Sequence, residues 1–65
     1  MRDPKRIDKF CDELAVIWKE KVPDWRFGQL MSNFQSWLSF KDGTDIFFPE
    51  EEKTLELLKE FLEIL

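Results

Sequence analysis

Residues 21–43 read KVPDWRFGQLMSNFQSWLSFKDG and contain one complete helix together with the signals that bound it. Pro23 pushes the residue before it away from helical dihedral angles, so a preceding helix must stop there. Asp24 is a residue type that caps helix N-termini, because its side chain can accept a hydrogen bond from a free amide. Gly43 supplies the positive φ at which helices commonly end. We predict a helix over residues 25–39.

Apolar side chains in this segment recur at steps of three and four residues, the period of an amphipathic helix. They are Phe27, Leu30, Met31, Phe34, Trp37 and Leu38. Gly28 lies at the edge of this stripe and costs about 1 kcal/mol relative to Ala in a helix, so we expect it to allow close helix contact. Arg26 is unfavourable in a first turn, so we expect an acidic partner on a neighbouring helix.

The same period continues towards the N-terminus and predicts a first helix over residues 4–20. Its apolar positions are Ile7, Phe10, Cys11, Leu14, Ile17 and Trp18. Asp3 is the expected N-cap, and Pro4 suits the first helical position because its missing N–H would have no partner there.

A third helix is predicted over residues 49–65, beginning at Pro49 and the three glutamates that follow it. Its inner face comprises Leu55, Leu58, Phe61, Leu62 and Leu65. The preceding segment, residues 45–48, is too short for a useful sheet, and we expect an extended connector whose Phe47 and Phe48 fill the core. The prediction is an all-α, compact three-helix domain over residues 1–65.

The composition excludes several classes of protein. Hydrophobic residues make up 43% of the 65 residues, and ten are aromatic, which excludes an intrinsically disordered chain. No apolar run approaches the roughly 20 residues of a membrane span, and the charged opening residues predict no signal peptide. A 65-residue chain corresponds to one small domain with a marginal core.

The residue inventory argues against an enzyme. The chain has no His, which removes imidazole general bases and Cys–His pairs. Its single Cys11 falls on the first apolar stripe, where we expect a small core residue, and it cannot form an internal disulfide. We therefore expect no catalytic residue, no cofactor, no metal site and a reducing, cytoplasmic location.

The charge distribution bears on nucleic-acid binding. Residues 1–32 carry a balance of +1, residues 33–65 carry −5, and the total is −4. An acidic domain repels a phosphate backbone, so nucleic acid is an unlikely partner. Two alternatives remain open: a regulator that contacts nucleic acid through the basic N-terminus, and an acidic mimic of nucleic acid. The basic residues are Arg2, Lys5, Arg6 and Lys9.

The second helix also predicts a protein-binding surface. No charged residue occurs between Phe27 and Phe40, although 37% of the chain is charged. Uncharged polar groups beside an off-stripe Trp suit a surface covered by another chain, because they are cheaper to desolvate than charges. The predicted partner-binding residues are Trp25, Gln29, Ser32, Asn33 and Ser36. The alternative is that the other two helices partly cover this one.

Self-association is a second prediction. Leu57 and Ile64 widen the apolar face of the third helix to about 180°. A face of this width exceeds what a single surface formed by the other two helices is expected to cover. We therefore expect these two residues to contribute to a symmetric dimer, so that the partner is either another protein or a second copy.

The central segment resembles a family pattern. Trp18 is followed, after four residues, by Pro23-Asp24-Trp25-Arg26-Phe27-Gly28-Gln29-Leu30. This run, the opening Lys5-Arg6-Ile7 and the acidic, Leu-rich end are similar to the YihD-like family of short bacterial and phage proteins. The resemblance implies a small helical cytoplasmic protein and no particular activity. The expected function is that of a non-enzymatic interaction or self-associating accessory module.

Overall fold

Residues 2–65 are described by a computed structural model, and they form three α-helices and no strand. α1 is Lys5–Lys21, α2 is Phe27–Asp42 and α3 is Glu51–Glu63. The prediction of an all-α, three-helix domain is confirmed, and each helix boundary lies within three residues of its predicted position. Within residues 2–65, no helix has the length and apolar composition that crossing a bilayer requires.

α1 starts one residue later than predicted, with Pro4 rather than Asp3 at the N-cap, but Asp3 still bonds to its first turn. The Oδ1 atom of Asp3 accepts a hydrogen bond from the Lys5 amide at 2.9 Å. The amides of Arg6 and Ile7 donate to the carbonyls of Asp3 and Pro4, both at 3.1 Å. Asp3 therefore satisfies free amides of the first turn, and Pro4 adopts helical dihedral angles.

The turn between α1 and α2 is fixed by two hydrogen bonds. The indole Nε1 of Trp18 donates to the carbonyl of Trp25 at 3.0 Å. The Trp25 amide donates to the carbonyl of Val22, also at 3.0 Å. These bonds hold the end of α1 and the approach to α2 in one tight turn.

The prediction that Asp24 caps the second helix is wrong. The turn occupies residues 22–25, so α2 begins two residues later than expected, with Arg26 at the N-cap in an extended conformation. There the Oε1 atom of Gln29 accepts a hydrogen bond from the Arg26 amide at 2.8 Å. Gln29 thus caps α2 from inside the first turn, as the third-position residue of a capping box does.

The core lies where α2 and α3 meet, with α1 packed along α3. The buried residues among 2–65 are all hydrophobic: Ile17, Leu30, Phe34, Leu38, Leu55, Leu57, Leu58, Phe61 and Leu62. The Phe61 ring lies 5.4 Å from Trp37, 5.9 Å from Phe34 and 6.5 Å from Trp25, measured between ring centroids. These distances are typical of favourable aromatic pairs, so one ring of α3 joins α2 and the preceding turn.

Ion pairs connect the helices at the protein surface. Arg2 pairs with Glu50 at 2.6 Å and Arg6 with Glu51 at 2.7 Å, which places the beginnings of α1 and α3 side by side. Exposed pairs of this kind contribute at most about 1 kcal/mol each, so the apolar core dominates stability.

A third ion pair joins the end of α2 to α3. The Nζ atom of Lys41 donates to Glu60 at 2.6 Å and lies 5.1 Å from the centre of the Trp37 ring. The hydrogen bond to Glu60 raises the pKa of Lys41 above its ordinary value of 10.5. Because the folded-state pKa is raised, any stabilisation from this pair is complete below pH 10.5 and is lost as the pH rises through the raised value.

The connector between α2 and α3 differs from its prediction in one respect. We expected Phe47 and Phe48 to fill the core, but their side chains are 83% and 72% exposed. The interior is already occupied by side chains of α2 and α3, among which Leu30, Leu38 and Leu58 are fully buried. The buried positions are all held by helix residues, and the two rings lie outside them.

The two glycines of the chain have different roles. Gly43 ends α2 with a φ of 65°, and its amide donates to the Ser39 carbonyl at 2.9 Å, as its predicted role requires. Gly28 is exposed, and a Cβ built on it would have no neighbouring atom within 4 Å. The expectation that Gly28 allows close helix contact is wrong, because no helix packs against this side of the first turn of α2.

We predict that Gly28→Ala stabilises the domain by a few tenths of a kcal/mol to about 1 kcal/mol, because it lowers the entropy of the unfolded chain without a clash. Gly43→Ala should instead destabilise it by about 1 kcal/mol or more, because alanine is strained at positive φ. Urea denaturation of both variants and the parent chain measures the two changes. A destabilised Gly28→Ala variant with an unchanged denaturant slope would contradict the open site described here.

Candidate interaction surface

Four of the five predicted partner-binding residues lie together on the solvent side of α2. Gln29, Ser32, Asn33 and Ser36 are all exposed and follow one another at steps of three, one and three residues. At about 100° per residue they occupy the side of the helix opposite Phe34. We call these four residues and Phe40 the α2 outer face.

Trp25 does not belong to this surface. It precedes α2, its side chain is half-buried, and its ring packs against Phe61 and the core. The expectation of an exposed Trp25 anchor therefore fails. The reason is that the turn before α2 folds back over the core, so a residue outside the helical stripe still faces inward.

Phe40 provides the exposed aromatic group that Trp25 was expected to supply. Its side chain is 93% exposed. It follows Ser36 by four residues and Asn33 by seven, which places all three in one row along α2. The sequence contained the signal: Phe40 lies about 200° from Leu38 on a helical wheel, outside the buried stripe.

The side chains of the α2 outer face that precede Phe40 are polar and uncharged. Within residues 2–65, the Gln29 side chain forms a hydrogen bond, whereas the side chains of Ser32, Asn33 and Ser36 form none. The hydroxyl and amide groups of these three residues can therefore bond to a partner. Their desolvation costs less than that of charged groups, so the face can be covered without burying an unpaired charge.

The two residues predicted for self-association are separated by the fold. Leu57 is only 5% exposed because α3 is covered by α1 on one side and by α2 on another, so it offers no surface to a second copy. Ile64 follows the end of α3 and is 65% exposed, as is Leu65. The apolar face of α3 is therefore broad because two helices of the same chain pack against it. Leu57 is buried by them and is not available for the predicted dimer contact.

The basic residues at the N-terminus are partly neutralised. Arg2 and Arg6 form the ion pairs with Glu50 and Glu51, whereas Lys5 and Lys9 are exposed. Arg26 was expected to have an acidic partner, but it takes part in none of the ion pairs formed among residues 2–65.

Cys11 is exposed on α1, contrary to its predicted place in the core. The helix turns Phe10 and Leu14 towards the core, and Cys11 lies outside the arc that they define. Across the described residues, no three side chains of the types that bind metals come together.

No protein-family model, no curated protein and no solved structure matches this chain. The resemblance to the YihD-like family accordingly stays a prediction, which rests on the run from Trp18 to Leu30, on Lys5-Arg6-Ile7 and on the acidic, Leu-rich end.

We predict that Trp25→Ala destabilises the domain by about 2 kcal/mol or more, because it leaves a cavity beside Phe61. Phe40→Ala should change the free energy of unfolding by no more than about 0.5 kcal/mol, because that ring has few contacts to lose. Urea unfolding followed by the fluorescence of the remaining tryptophans measures both. Equal destabilisation by the two substitutions would contradict the assignment of Trp25 to the core and Phe40 to the surface.

Proposed function

We propose that this protein is a non-enzymatic interaction module that binds another protein through the α2 outer face. The observation that carries the proposal is the position of Phe40, an aromatic ring exposed at the C-terminal end of an uncharged helical surface. Aromatic residues are enriched at protein interfaces, and charged residues are depleted from interface centres. The α2 outer face has both properties.

The surface also has the arrangement of a binding hot spot. Phe40 can insert into an apolar socket of the partner, while Ser36 and Asn33 offer hydrogen-bonding groups on its N-terminal side. Polar contacts beside an apolar anchor help to exclude water from it. A partner that fits this face presents an apolar pocket bordered by backbone or amide groups rather than by charges.

The role of an accessory protein without catalysis agrees with the residue inventory and requires no cofactor. A cytoplasmic, bacterial or phage setting is part of the same proposal, and it rests on the free Cys11 and on the family resemblance. Nucleic acid is a less favoured partner, because two of the four basic N-terminal residues already pair with glutamates.

We predict that changing the α2 outer face abolishes partner capture without unfolding the chain. The full chain, carrying an affinity tag, is compared with a variant containing Ser36→Lys and Phe40→Ala in lysate of the organism that encodes it. The substitutions add one charge and remove one exposed ring, so capture of the partner should fall at least about tenfold.

A matched control carries the same kinds of change on α1, namely Cys11→Lys and Val16→Ala, both at exposed positions. The control should capture the partner as the parent chain does, and circular dichroism should give similar thermal midpoints for all three. Equal capture by the parent and the α2 variant would overturn the proposal. If the partner is a second copy, sedimentation at tens of micromolar will show a dimer that the α2 variant loses.

A further inference from the structure

An open groove of about 420 Å³ lies between α1 and α3. Most of its lining residues belong to α1, and Lys59 belongs to α3, so the groove contains no residue of α2. We call it the α1–α3 groove, and its residues are Asp12, Glu13, Val16, Ile17, Glu20 and Lys59.

The base of the α1–α3 groove is apolar. Ile17 is buried as part of the core, whereas Val16 is 55% exposed although it lies well inside α1. An aliphatic side chain exposed to this extent gains free energy when another apolar group covers it. Val16 is therefore the part of the groove that suits an apolar side chain of a partner.

The carboxylates in the lining outnumber the basic groups. Asp12, Glu13 and Glu20 line the groove, and Lys59 is the one basic residue among its lining residues, which gives the lining a balance of −2. These four side chains take part in none of the ion pairs formed among residues 2–65. The carboxylates that line the groove are thus left without a cationic partner in the described chain.

The beginning of the same helix pair is neutralised within the chain. There Arg2 and Arg6 pair with Glu50 and Glu51 at 2.6 and 2.7 Å. In the α1–α3 groove a cationic group from another molecule can supply the corresponding partner. A phosphate backbone or an anionic lipid headgroup is repelled by the same carboxylates.

The spacing of the lining residues defines the geometry of that partner. Asp12, Val16 and Glu20 recur every four residues, so they form one row along α1. Asp12 and Glu20 are about 12 Å apart along the helix axis, with Val16 midway between them. A partner helix matches this row when basic residues at positions i and i+8 flank an aliphatic residue at i+4. Helices pack against one another through rows of this kind.

We propose that the α1–α3 groove binds a basic amphipathic helix of another protein. An aliphatic side chain of that helix covers Val16, and Lys or Arg side chains four residues to either side bond to Asp12 and Glu20. Long basic side chains suit this site, because their apolar stems lie along Val16 while their charged ends reach the carboxylates. This is the mode in which an amphipathic helix lays its apolar face into a groove.

The experiment measures binding of a fluorescent 15-residue peptide to the full chain by anisotropy at low salt. The peptide has Arg at positions 4 and 12, Leu at position 8, and Ala or Gln elsewhere. Three control peptides carry Glu in place of both Arg, both Arg moved to positions 6 and 10 on the opposite face, or Pro at position 10, which breaks the helix. The first peptide should bind at least about tenfold more tightly than each control.

Variants of the chain test the lining charges. Asp12→Asn, Glu13→Gln and Glu20→Gln together should weaken binding of the Arg/Leu peptide at least about tenfold at low salt, and less at high salt. Lys59→Gln should strengthen binding about twofold or more, because it removes the one positive charge of the lining.

A matched control removes three carboxylates outside the groove, at the exposed positions Asp24, Asp42 and Asp45, each changed to Asn. It has the same net charge as the groove variant and should bind the peptide within about twofold of the parent chain. Circular dichroism should give similar thermal midpoints for all variants.

This site is independent of the α2 outer face, because the two surfaces share no residue. The variant with Ser36→Lys and Phe40→Ala should bind the peptide as the parent chain does. The variant with Cys11→Lys and Val16→Ala should bind it more weakly and still capture the partner of the α2 outer face. Each proposal can therefore fail alone.

Several results would overturn the proposal. They are failure of the Arg/Leu peptide to bind, equal binding of the Glu or Pro peptide, and equal binding by the groove variant and its matched control. A dimer in sedimentation that the groove variant loses, without peptide binding, would assign the groove to a second copy and would also overturn it.

Discussion

The contact of the Phe61 ring with three aromatic rings outside α3 holds the fold together. Trp37 and Phe34 reach it from α2, and Trp25 reaches it from the turn that precedes α2. The Trp25 carbonyl in turn accepts the indole hydrogen bond of Trp18, so α1 is joined to the same cluster. A domain of this size has little apolar area to bury, and large aromatic side chains supply more of it per residue than aliphatic ones.

The small size of that core explains why aromatic rings remain on the surface. Phe34 and Phe61 are buried with the tryptophans packed around them, whereas Phe40 lies outside the buried stripe of α2 and Phe47 and Phe48 lie on the connector. Scattered exposed apolar residues are ordinary in proteins, but rings exposed by more than two thirds on both sides of one helix are less so. The chain therefore carries two separate aromatic surfaces.

The two surfaces differ in their surroundings. Phe40 follows uncharged serine, asparagine and glutamine side chains along α2, whereas Phe47 and Phe48 belong to the segment 42–52, which contains five acidic residues. The ion pairs of Arg2 and Arg6 with Glu50 and Glu51 reduce the contrast between a basic beginning and an acidic end of the chain. Asp45 and Glu52 take part in none of the ion pairs among residues 2–65.

The sequence alone determined the number of helices, their approximate limits and most of the residues of the core. This succeeded because helical period, proline and glycine act locally: Pro4 lies at the start of α1, where Asp3 bonds to the Lys5 amide, and Gly43 ends α2 as expected. It also located the uncharged side of α2. It did not predict whether Trp25, Leu57, Cys11 and the connector phenylalanines are buried or exposed as the structure has them. It also did not single out Phe40 as an exposed ring.

Those positions were decided by tertiary structure, because burial depends on which helices pack against each other and how much interior volume they leave. Leu57 is buried because α1 and α2 both cover α3, which no local pattern specifies. Trp25 is drawn inward by a turn whose hydrogen bonds tie it to Trp18 and Val22 at the end of α1. Phe47 and Phe48 are exposed because the buried positions are all held by residues of the three helices.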